Sequence, residues 1–358
     1  MSDVQEPLGL GEERPATGED GLIARVLAVS LALLDTTARP VRRAQHPKHH
    51  GCIRAEFVVP PDLPEEMRHG VLREGRTFPA LIRFSNGRHW DDRKGDIHGM
   101  AIKLVGVEGE KLLEAEKGEQ TQDFVMADHP VFILRDLADY VPFSEALLEA
   151  RRSRWSRIGF VLRVLVSPHP PWKGLRAAMA KKPDSPLRIQ YWSQTPFRLG
   201  RLAVRYSCRP DLTLVPPPTP SRSGDKLREA LSSHLASREA HFDFLVQVQA
   251  DPIAMPIEDP TVGWDEATSP YRKVATIRIP PQVSDTPEGR ALGENLSFTP
   301  WHALPEHRPL GAINRARKVI YEALSARRHE LNRVPRREPT LADFPRSPAP
   351  GGIDIPRS

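Results

Sequence analysis

Short segments with strand-like hydrophobic patterns recur along most of the chain, and they constrain its fold more than any other feature. In the clearest of them apolar and polar residues alternate, which places every second side chain on the same face of a strand. The sequence therefore predicts about seven strands. The segments with these patterns are 54–59, 80–85, 100–105, 121–136, 201–208, 242–249 and 274–279.

Helical patterns separate and follow these strands. Residues 22–38 and 313–331 each predict a helix, and residues 136–182 predict several helical pieces broken around the prolines of 167–172. About one residue in ten is proline, 37 of 358, which is typical of long irregular connections. Two groups of strands around a helical insert, with a helix at the end, indicate an α+β fold built on an antiparallel sheet or barrel.

The length and composition fit a globular chain with one sizeable core. The chain has 358 residues, of which 39% are hydrophobic, so it is long enough for one large domain or two. We expect a single domain at 21–333. A leader rich in Gly, Glu and Pro at 1–20 and a tail rich in Pro and Arg at 334–358 are both predicted to be disordered.

The sequence favours a cytoplasmic protein without a transmembrane segment. No apolar run approaches the roughly 20 residues that a membrane span needs. The first residues are acidic, whereas a secretory signal begins with basic ones. Two cysteines, Cys52 and Cys208, cannot form a disulfide framework and suit a reducing compartment.

The charge balance gives little support to a nucleic-acid partner. The net charge of +5 is small for this length, although basic residues concentrate at 327–337. No aromatic residues are interleaved with them and no recognition motif accompanies them. We therefore interpret these residues as a solvated surface and predict no nucleic-acid partner.

The last predicted helix carries the most informative group of side chains. At 100° per residue, Arg317, Tyr321 and Arg328 lie within about 40° of one another, at the edge of the apolar stripe. Arg317 stands one turn before Tyr321 and can reach its phenol oxygen. A tyrosinate ligand needs positive charge nearby, because the phenol pKa is ordinarily about 10. An amphipathic helix with a half-buried tyrosine explains the same pattern from spacing alone.

Three further clusters stand out from the strand and helix patterns. Histidines 46, 49 and 50 follow one another in RRAQHPKHHG at 42–51, which alone is typical of a solvated loop. Arg83 and Ser85 project from one face of a strand in IRFSNG. The strand-like run at 121–136 is interrupted by Asp-His-Pro, which is typical of a functional loop. An edge strand ended by proline would show the same pattern.

Taken together and in order, these pieces resemble the catalase family, in particular a shortened branch reduced to the haem-binding core. The resemblance covers roughly residues 40–330. Each motif is weak alone, and five in the right order are specific. They are RxxH at 43–46, RFS at 83–85, GDIHGMAIK at 95–103, QDF with HPVFILRD at 122–136, and RxxxY at 317–321.

The resemblance implies an antiparallel β-barrel core that binds haem b, with a role for each matching residue. His46 resembles the distal histidine that moves a proton between the oxygens of peroxide, and Ser85 the serine that orients it. Tyr321 resembles the phenolate ligand of the iron. The cofactor-binding residues implied are Arg43, Arg83 and Arg328 at the haem propionates, Arg317 beside the ligand, and Phe132 and Tyr140 as aromatic walls.

The distal loop departs from the family pattern. Three residues before the proline of PVF the family has an asparagine that helps to position peroxide, and this chain has Ala127 there with Asp128 beside it. A shift of one residue would bring Asp128 into the pocket as a catalytic residue that only accepts hydrogen bonds when ionised. His98 stands where the family has an arginine.

The resemblance implies an oxidoreductase that consumes hydrogen peroxide with a small-molecule electron donor, as a peroxidase or a weak catalase. The runner-up is an enzyme that converts an organic or lipid hydroperoxide, because allene oxide synthases share this barrel. A protein that holds haem without turnover and a basic scaffold without cofactor are further alternatives. An assembly of identical subunits is compatible with the resemblance.

Overall fold

A computed structural model describes residues 8–151 and 172–344, and its centre is a closed antiparallel barrel. The sheet order is β5-β4-β3-β2-β1-β9-β8-β7-β6, and an additional pairing of β5 with β7 closes eight of the strands into a ring. The strands are β1 His49–Val59, β2 Arg76–Asn86, β3 His98–Val105, β4 Thr121–Ala127, β5 Tyr191–Trp192, β6 Phe197–Leu199, β7 Leu202–Pro210, β8 Ala240–Val248 and β9 Arg272–Ile279.

The alternating apolar side chains of the strands fill the interior of the barrel. Ile53 pairs with Ile82, Ile82 with Ile102, and Ile102 with Phe124, so one row of apolar side chains crosses four strands. All four side chains are buried in the main core. Aromatic rings complete the interior, with Phe124 and Phe244 in edge-to-face contact at 4.9 Å between centroids. The α+β barrel predicted from the sequence is confirmed.

Helices connect and flank the strands. The described ones are α1 Glu19–Leu33, α2 Leu137–Glu149, α3 Trp172–Met179, α4 Lys226–Leu235, α5 Pro287–Asn295 and α6 Ala312–Asn332. The helices predicted at 22–38 and 313–331 correspond to α1 and α6. The helical pieces predicted at 136–182 correspond to α2 and α3 where the structure describes them, and residues 152–171 lie outside the described part. Helices α4 and α5 were not predicted. No described helix is both long and apolar enough to cross a membrane.

A second, smaller core joins three of these helices and fixes the position of α6. Val26 of α1, Val141 of α2 and Ile313 and Ile320 of α6 are buried against one another. Ile313 and Ile320 belong to the apolar stripe of α6. Because that stripe packs on α1 and α2, its polar edge is turned towards the barrel. Arg317, Tyr321 and Arg328 are on that edge, and they face a cavity between the helices and the barrel.

The segments on either side of the expected domain also contact it. Glu13 accepts hydrogen bonds from Arg308 and Arg315, and Arg315 pairs with Glu19 at 2.5 Å as well. At the other end, Glu338 lies 2.6 Å from the buried Lys103. Glu13, Glu19 and Glu338, which lie in the segments outside the expected domain, thus each contribute a carboxylate to a buried or half-buried cation.

Candidate active site between the barrel and three helices

A cavity of about 280 Å³ lies between the barrel and helices α1, α2 and α6. Strands β2, β3 and β4 supply one wall, and α6 supplies the other with Arg317 and Tyr321. The structure brings nine of the ten sequence-predicted site residues into the lining of this cavity, and Asp128 is not among them. The nine are Arg43, His46, Arg83, Ser85, Phe132, Tyr140, Arg317, Tyr321 and Arg328.

On the barrel side, His46 is held rigidly just before β1. Its backbone has φ +55°, a left-handed conformation that is uncommon for residues other than glycine. Two backbone hydrogen bonds fix it there: the His46 N–H donates to the Gly87 carbonyl at 2.9 Å, and Arg83 donates to the His46 carbonyl at 3.0 Å. The ring Nδ1 lies 3.1 Å from Ser85 Oγ. Backbone and side chain are therefore both constrained, which leaves Nε2 for other chemistry.

The environment of His46 keeps its imidazole neutral. Burial, and then the positive charge of Arg83, lowers the pKa of His46 to about 4. At neutral pH the ring therefore has a free lone pair on one nitrogen.

Gly99 of β3 makes room for this imidazole. A Cβ added at Gly99 would lie 2.7 Å from both Cε1 and Nδ1 of His46 and 2.9 Å from Ser85 Oγ. These distances are too short for any side chain. The glycine of the GDIHGMAIK motif is thus required by a close approach of the backbone to the His46 ring.

On the helix side, Tyr321 receives a hydrogen bond from a fixed arginine. Arg317 NH2 donates to the Tyr321 oxygen at 3.2 Å, and the guanidinium lies 5.1 Å from the centroid of the phenol ring. Arg317 NH1 donates to Asn314 Oδ1 at 3.1 Å and to Thr195 Oγ1 at 3.3 Å. Asn314 is itself buried and bonded to backbone carbonyls. The arginine is thus anchored from behind and presents one N–H to the phenol oxygen.

Three more arginines gather at one edge of the cavity with little negative charge to balance them. Arg43, Arg83 and Arg328 donate mainly to backbone carbonyls of residues 293–296. The nearby carboxylate is Glu294, whose Oε2 already accepts from Arg42 at 2.7 Å. Burial lowers the pKa of Arg83 to about 10, and burial and the other arginines lower that of Arg43. This edge therefore has an excess of positive charge and favours an anionic ligand.

Two aromatic residues narrow the remaining side. Phe132 and Tyr140 both line the cavity, and their rings meet edge-to-face at 6.2 Å between centroids. Burial raises the pKa of Tyr140, and the neighbouring Tyr321 adds to that effect, so its phenol stays protonated at neutral pH. Both match the aromatic positions that the sequence resemblance implies.

Asp128, which the sequence suggested as a catalytic residue, is not among the residues that line the cavity. Its carboxylate is buried and Oδ2 lies 2.8 Å from Nδ1 of His98, the residue that replaces an arginine of the family pattern. Ala127 is the last residue of β4, pairs with Gly99 and Trp192, and is also absent from the lining. The shift of one residue considered above therefore does not bring a side chain into the cavity, because His98 holds Asp128 behind the wall.

Histidines 49 and 50 occupy buried positions rather than a solvated loop. Both belong to the start of β1, and His50 Nε2 lies 2.8 Å from Asn86 Oδ1. Burial lowers the pKa of each to about 3. The prediction of solvated histidines was wrong because the strand begins earlier than the alternation indicates.

Sequence reasoning missed several supporting residues. Asn314 and Thr195 anchor Arg317, and Glu294 sits within the arginine cluster. Asn314 could have been found on the helix, one turn before Arg317 on the same face. Thr195 and Glu294 come from connections whose position no local pattern indicates.

Comparison with solved structures identifies the architecture. A fungal catalase superposes with a TM-score of 0.59 and 16% identity, over 93% of this chain and 68% of the catalase. A bacterial catalase gives 0.56 and 14% over 92% and 63%, and catalase A from Saccharomyces cerevisiae gives 0.56 and 16% over 93% and 70%. The fold is catalase-like. The identities are low, so this similarity concerns the fold alone.

Sequence comparisons give a more distant relationship. No family model matches the chain. The allene oxide synthase-lipoxygenase protein of Plexaura homomalla is 29% identical over 187 residues, which is 50% of this chain and 15% of that protein. The match therefore spans about one seventh of a much longer relative.

Proposed function

We propose that the cavity binds haem b and that the protein is a peroxide-consuming oxidoreductase of the peroxidase or weak-catalase type. The observation that carries this proposal is the composition of one cavity. A tyrosine with an arginine on its oxygen lines one side, and a half-buried neutral histidine with a serine on Nδ1 lines the other. The catalase-like fold supports the same reading.

Tyr321 fits the role of the iron ligand. Its side chain lines the cavity, and the hydrogen bond from Arg317 to its oxygen favours the anionic form that binds ferric iron. Thr195 and Asn314 orient the arginine, which fixes the direction of that hydrogen bond.

The arginine-rich edge fits the propionates of haem. Arg43, Arg83 and Arg328 line the cavity at one side, and the single charge of Glu294, which is shared with Arg42, does not balance all three. Two propionates would supply that negative charge through short, charge-assisted hydrogen bonds. The apolar lining between the two edges, which includes Met100 and Ile320, suits a flat apolar ring.

His46 fits the role of the proton acceptor from peroxide. The imidazole is neutral at working pH and fixed by its backbone and by Ser85, and its Nε2 has no hydrogen-bond partner among the described residues. It can take the proton from one oxygen of a hydroperoxide and return it to the departing oxygen. Haem, when bound, supplies the redox chemistry that accepts oxidising equivalents from peroxide and passes them to a reductant.

Peroxidase chemistry is favoured over rapid disproportionation of hydrogen peroxide. The asparagine of the family pattern is absent, and neither Ala127 nor Asp128 lines the cavity. Among the described lining residues Gln45 carries the one side-chain amide, and it is bonded to Tyr140. Loss of a well-placed donor typically costs about 10²–10³ in rate. We therefore propose that an electron donor competes well with a second hydrogen peroxide.

A second candidate function is conversion of an organic or lipid hydroperoxide. The cavity lining includes Leu33 at the end of α1, Leu34 just after it and Leu147 of α2, which offer an apolar surface for such a substrate. The matching relative from Plexaura homomalla is named an allene oxide synthase-lipoxygenase.

The proposed functions are separated by adding haem and then different peroxides to the purified protein. We expect oxidation of an electron donor with hydrogen peroxide and slow release of oxygen. Rapid oxygen release without donor oxidation would favour a catalase. Consumption of a fatty-acid hydroperoxide without any donor would favour the second candidate. No reaction with any peroxide in the haem-loaded protein would contradict all of them.

The pH dependence of peroxide consumption should reflect the lowered pKa of His46. The neutral imidazole is the active form, and a lowered pKa keeps that form populated in mildly acidic solution. We expect kcat/KM for peroxide to be unchanged between pH 7 and pH 5.5 and to fall by half near pH 4. The measurement is a stopped-flow pH profile of haem-loaded protein. A midpoint near 6.5 would contradict the lowered pKa of His46.

Gly99→Ala should disable the histidine without removing the cofactor. The added methyl group would lie 2.7 Å from the His46 ring, so the ring must move away from its Ser85 partner. We expect a loss of about 10²-fold in peroxide consumption, since general acid–base help is worth about 10²–10⁴. Haem affinity should be nearly unchanged. Gly118→Ala, where an added Cβ meets nothing within 4 Å, is the matched control.

A further inference from the structure

We infer that the Asp128 carboxylate, held in place by the buried His98, stabilises the protonated form of the His46 imidazole. The inference rests on the proposed role of His46 as a proton acceptor. It assigns a task to two residues that line no part of the cavity, and it makes Asp128 a positioning residue rather than a catalytic one.

The backbone of β3 connects the pair with the histidine. His98 and Gly99 are consecutive, and Gly99 packs directly against the His46 ring. The Asp128 N–H donates to the His98 carbonyl at 2.9 Å, and their side chains meet at 2.8 Å. Both side chains are buried, 3% and 2% exposed, so solvent screens their charges poorly. The pair is thus fixed one residue away from the contact with His46.

The Asp128 carboxylate has few partners among the described residues. Oδ2 lies 2.8 Å from His98 Nδ1, and Oδ1 is buried with no hydrogen-bond partner in the described part of the chain. The cation beside it there is Lys181, whose Nζ is 3.9 Å from Oδ1 and whose side chain is about one third exposed. A buried carboxylate oxygen without a hydrogen bond is costly, and its field acts on the groups packed against it.

The charged groups around His46 are of both signs. Arg83 of β2 opposes protonation of the imidazole, and burial acts in the same direction. Asp96, in the connection before β3, and Asp128, after β4, favour protonation, whereas a protonated His98 opposes it. Across the cavity α2 and α6 present the phenols of Tyr140 and Tyr321. Asp96 is already saturated by backbone N–H groups of residues 88, 89 and 97.

This arrangement sets how readily His46 takes a proton. A half-buried proton acceptor beside an arginine binds protons weakly, and a fixed negative charge offsets part of that loss. The position of Asp128 behind the wall offsets it without placing a carboxylate against peroxide. Removing the charge should therefore weaken proton uptake while the shape of the cavity stays the same.

Two substitutions with opposite signs test the inference. Asp128→Asn keeps the acceptor for His98 and removes the charge, so the pKa of His46 should fall by roughly 0.5 to 1. Lys181→Met removes the nearby cation from a partly exposed position, so the pKa should rise by roughly 0.2 to 0.5. The probe is the His46 Cε1 proton in haem-free protein, followed by NMR during pH titration and assigned with His46→Gln.

Asp62→Asn is the matched control, because Asp62 is exposed and lies after the far end of β1. It should leave the His46 titration unchanged. In haem-loaded protein, the acid midpoint of peroxide consumption should move in the same directions as the NMR values. Unchanged His46 titration in both variants would overturn the inference, as would a shift of the same sign in both. Failure of haem to bind would instead contradict the proposed function, and the NMR result would still stand.

Discussion

Tyr321→Phe should lose tight binding of ferric haem, with an affinity at least about 100-fold lower than that of the unmodified protein. Removing a residue that only hydrogen-bonds to a metal ligand already lowers metal affinity or activity 10- to 100-fold, and this substitution removes the ligand oxygen itself. The phenylalanine keeps the packing of α6 on the barrel and leaves Arg317 bonded to Asn314 and Thr195. The measurement is a haem titration followed by the Soret and charge-transfer bands.

Tyr140→Phe is the matched control for this change. It removes a phenol from the same cavity, next to Phe132 and Gln45, at a residue for which we propose no bond to iron. We expect haem affinity within a few-fold of the unmodified protein and an unchanged spectrum. An unaltered spectrum in Tyr321→Phe, or a larger loss in Tyr140→Phe, would show that the ligand lies elsewhere.

His46→Ala should retain haem, and its rate of peroxide consumption should fall by a factor of about 10²–10⁴, which is the usual contribution of general acid–base catalysis. The arginines that we propose bind the propionates, and Tyr321, do not depend on the imidazole. Arg83 would keep its bond to the backbone carbonyl of residue 46. The rate of reaction with hydrogen peroxide, measured by stopped flow on haem-loaded protein, is the appropriate readout.

The neighbouring histidines provide the comparison. His49 and His50 are buried in β1, and neither lines the cavity. Their replacement by alanine should cost stability through lost packing and, for His50, through the lost bond to Asn86. The rate per bound haem should change by less than about 10-fold. A greater effect on that rate at either position than at His46 would mean that the proton acceptor has been misassigned.

The barrel was predictable because the hydrophobic alternation that marks its longer strands is a local feature of the sequence. Alternation in β1, β2 and β3 reports directly which side chains face the core, and it needs no knowledge of distant residues. Strands β5 and β6 contain two and three residues, too few for any period to be seen. Helix α4 has leucines at 227, 231 and 235 at helical spacing, and all three are buried, so its pattern was present in the sequence.

The candidate site was predictable where its residues share one element. Arg317, Tyr321 and Arg328 are on one helix, and Arg83 and Ser85 are on one strand, so spacing alone brings them together. The position of Asp128 was not predictable, because it depends on the bond to His98 across two strands and on where β4 ends. The buried ion pair of Glu338 with Lys103 likewise joins residues more than 200 positions apart.

The central claim, that this cavity holds one haem with Tyr321 as its ligand, is tested most directly by titrating the haem-free protein with ferric haem. The account predicts a Soret band that saturates at one haem per chain, with charge-transfer bands typical of a phenolate-bound ferric iron that disappear in Tyr321→Phe. The contrary result is an absorption spectrum of free haem at every ratio, or a saturated spectrum that Tyr321→Phe leaves unchanged.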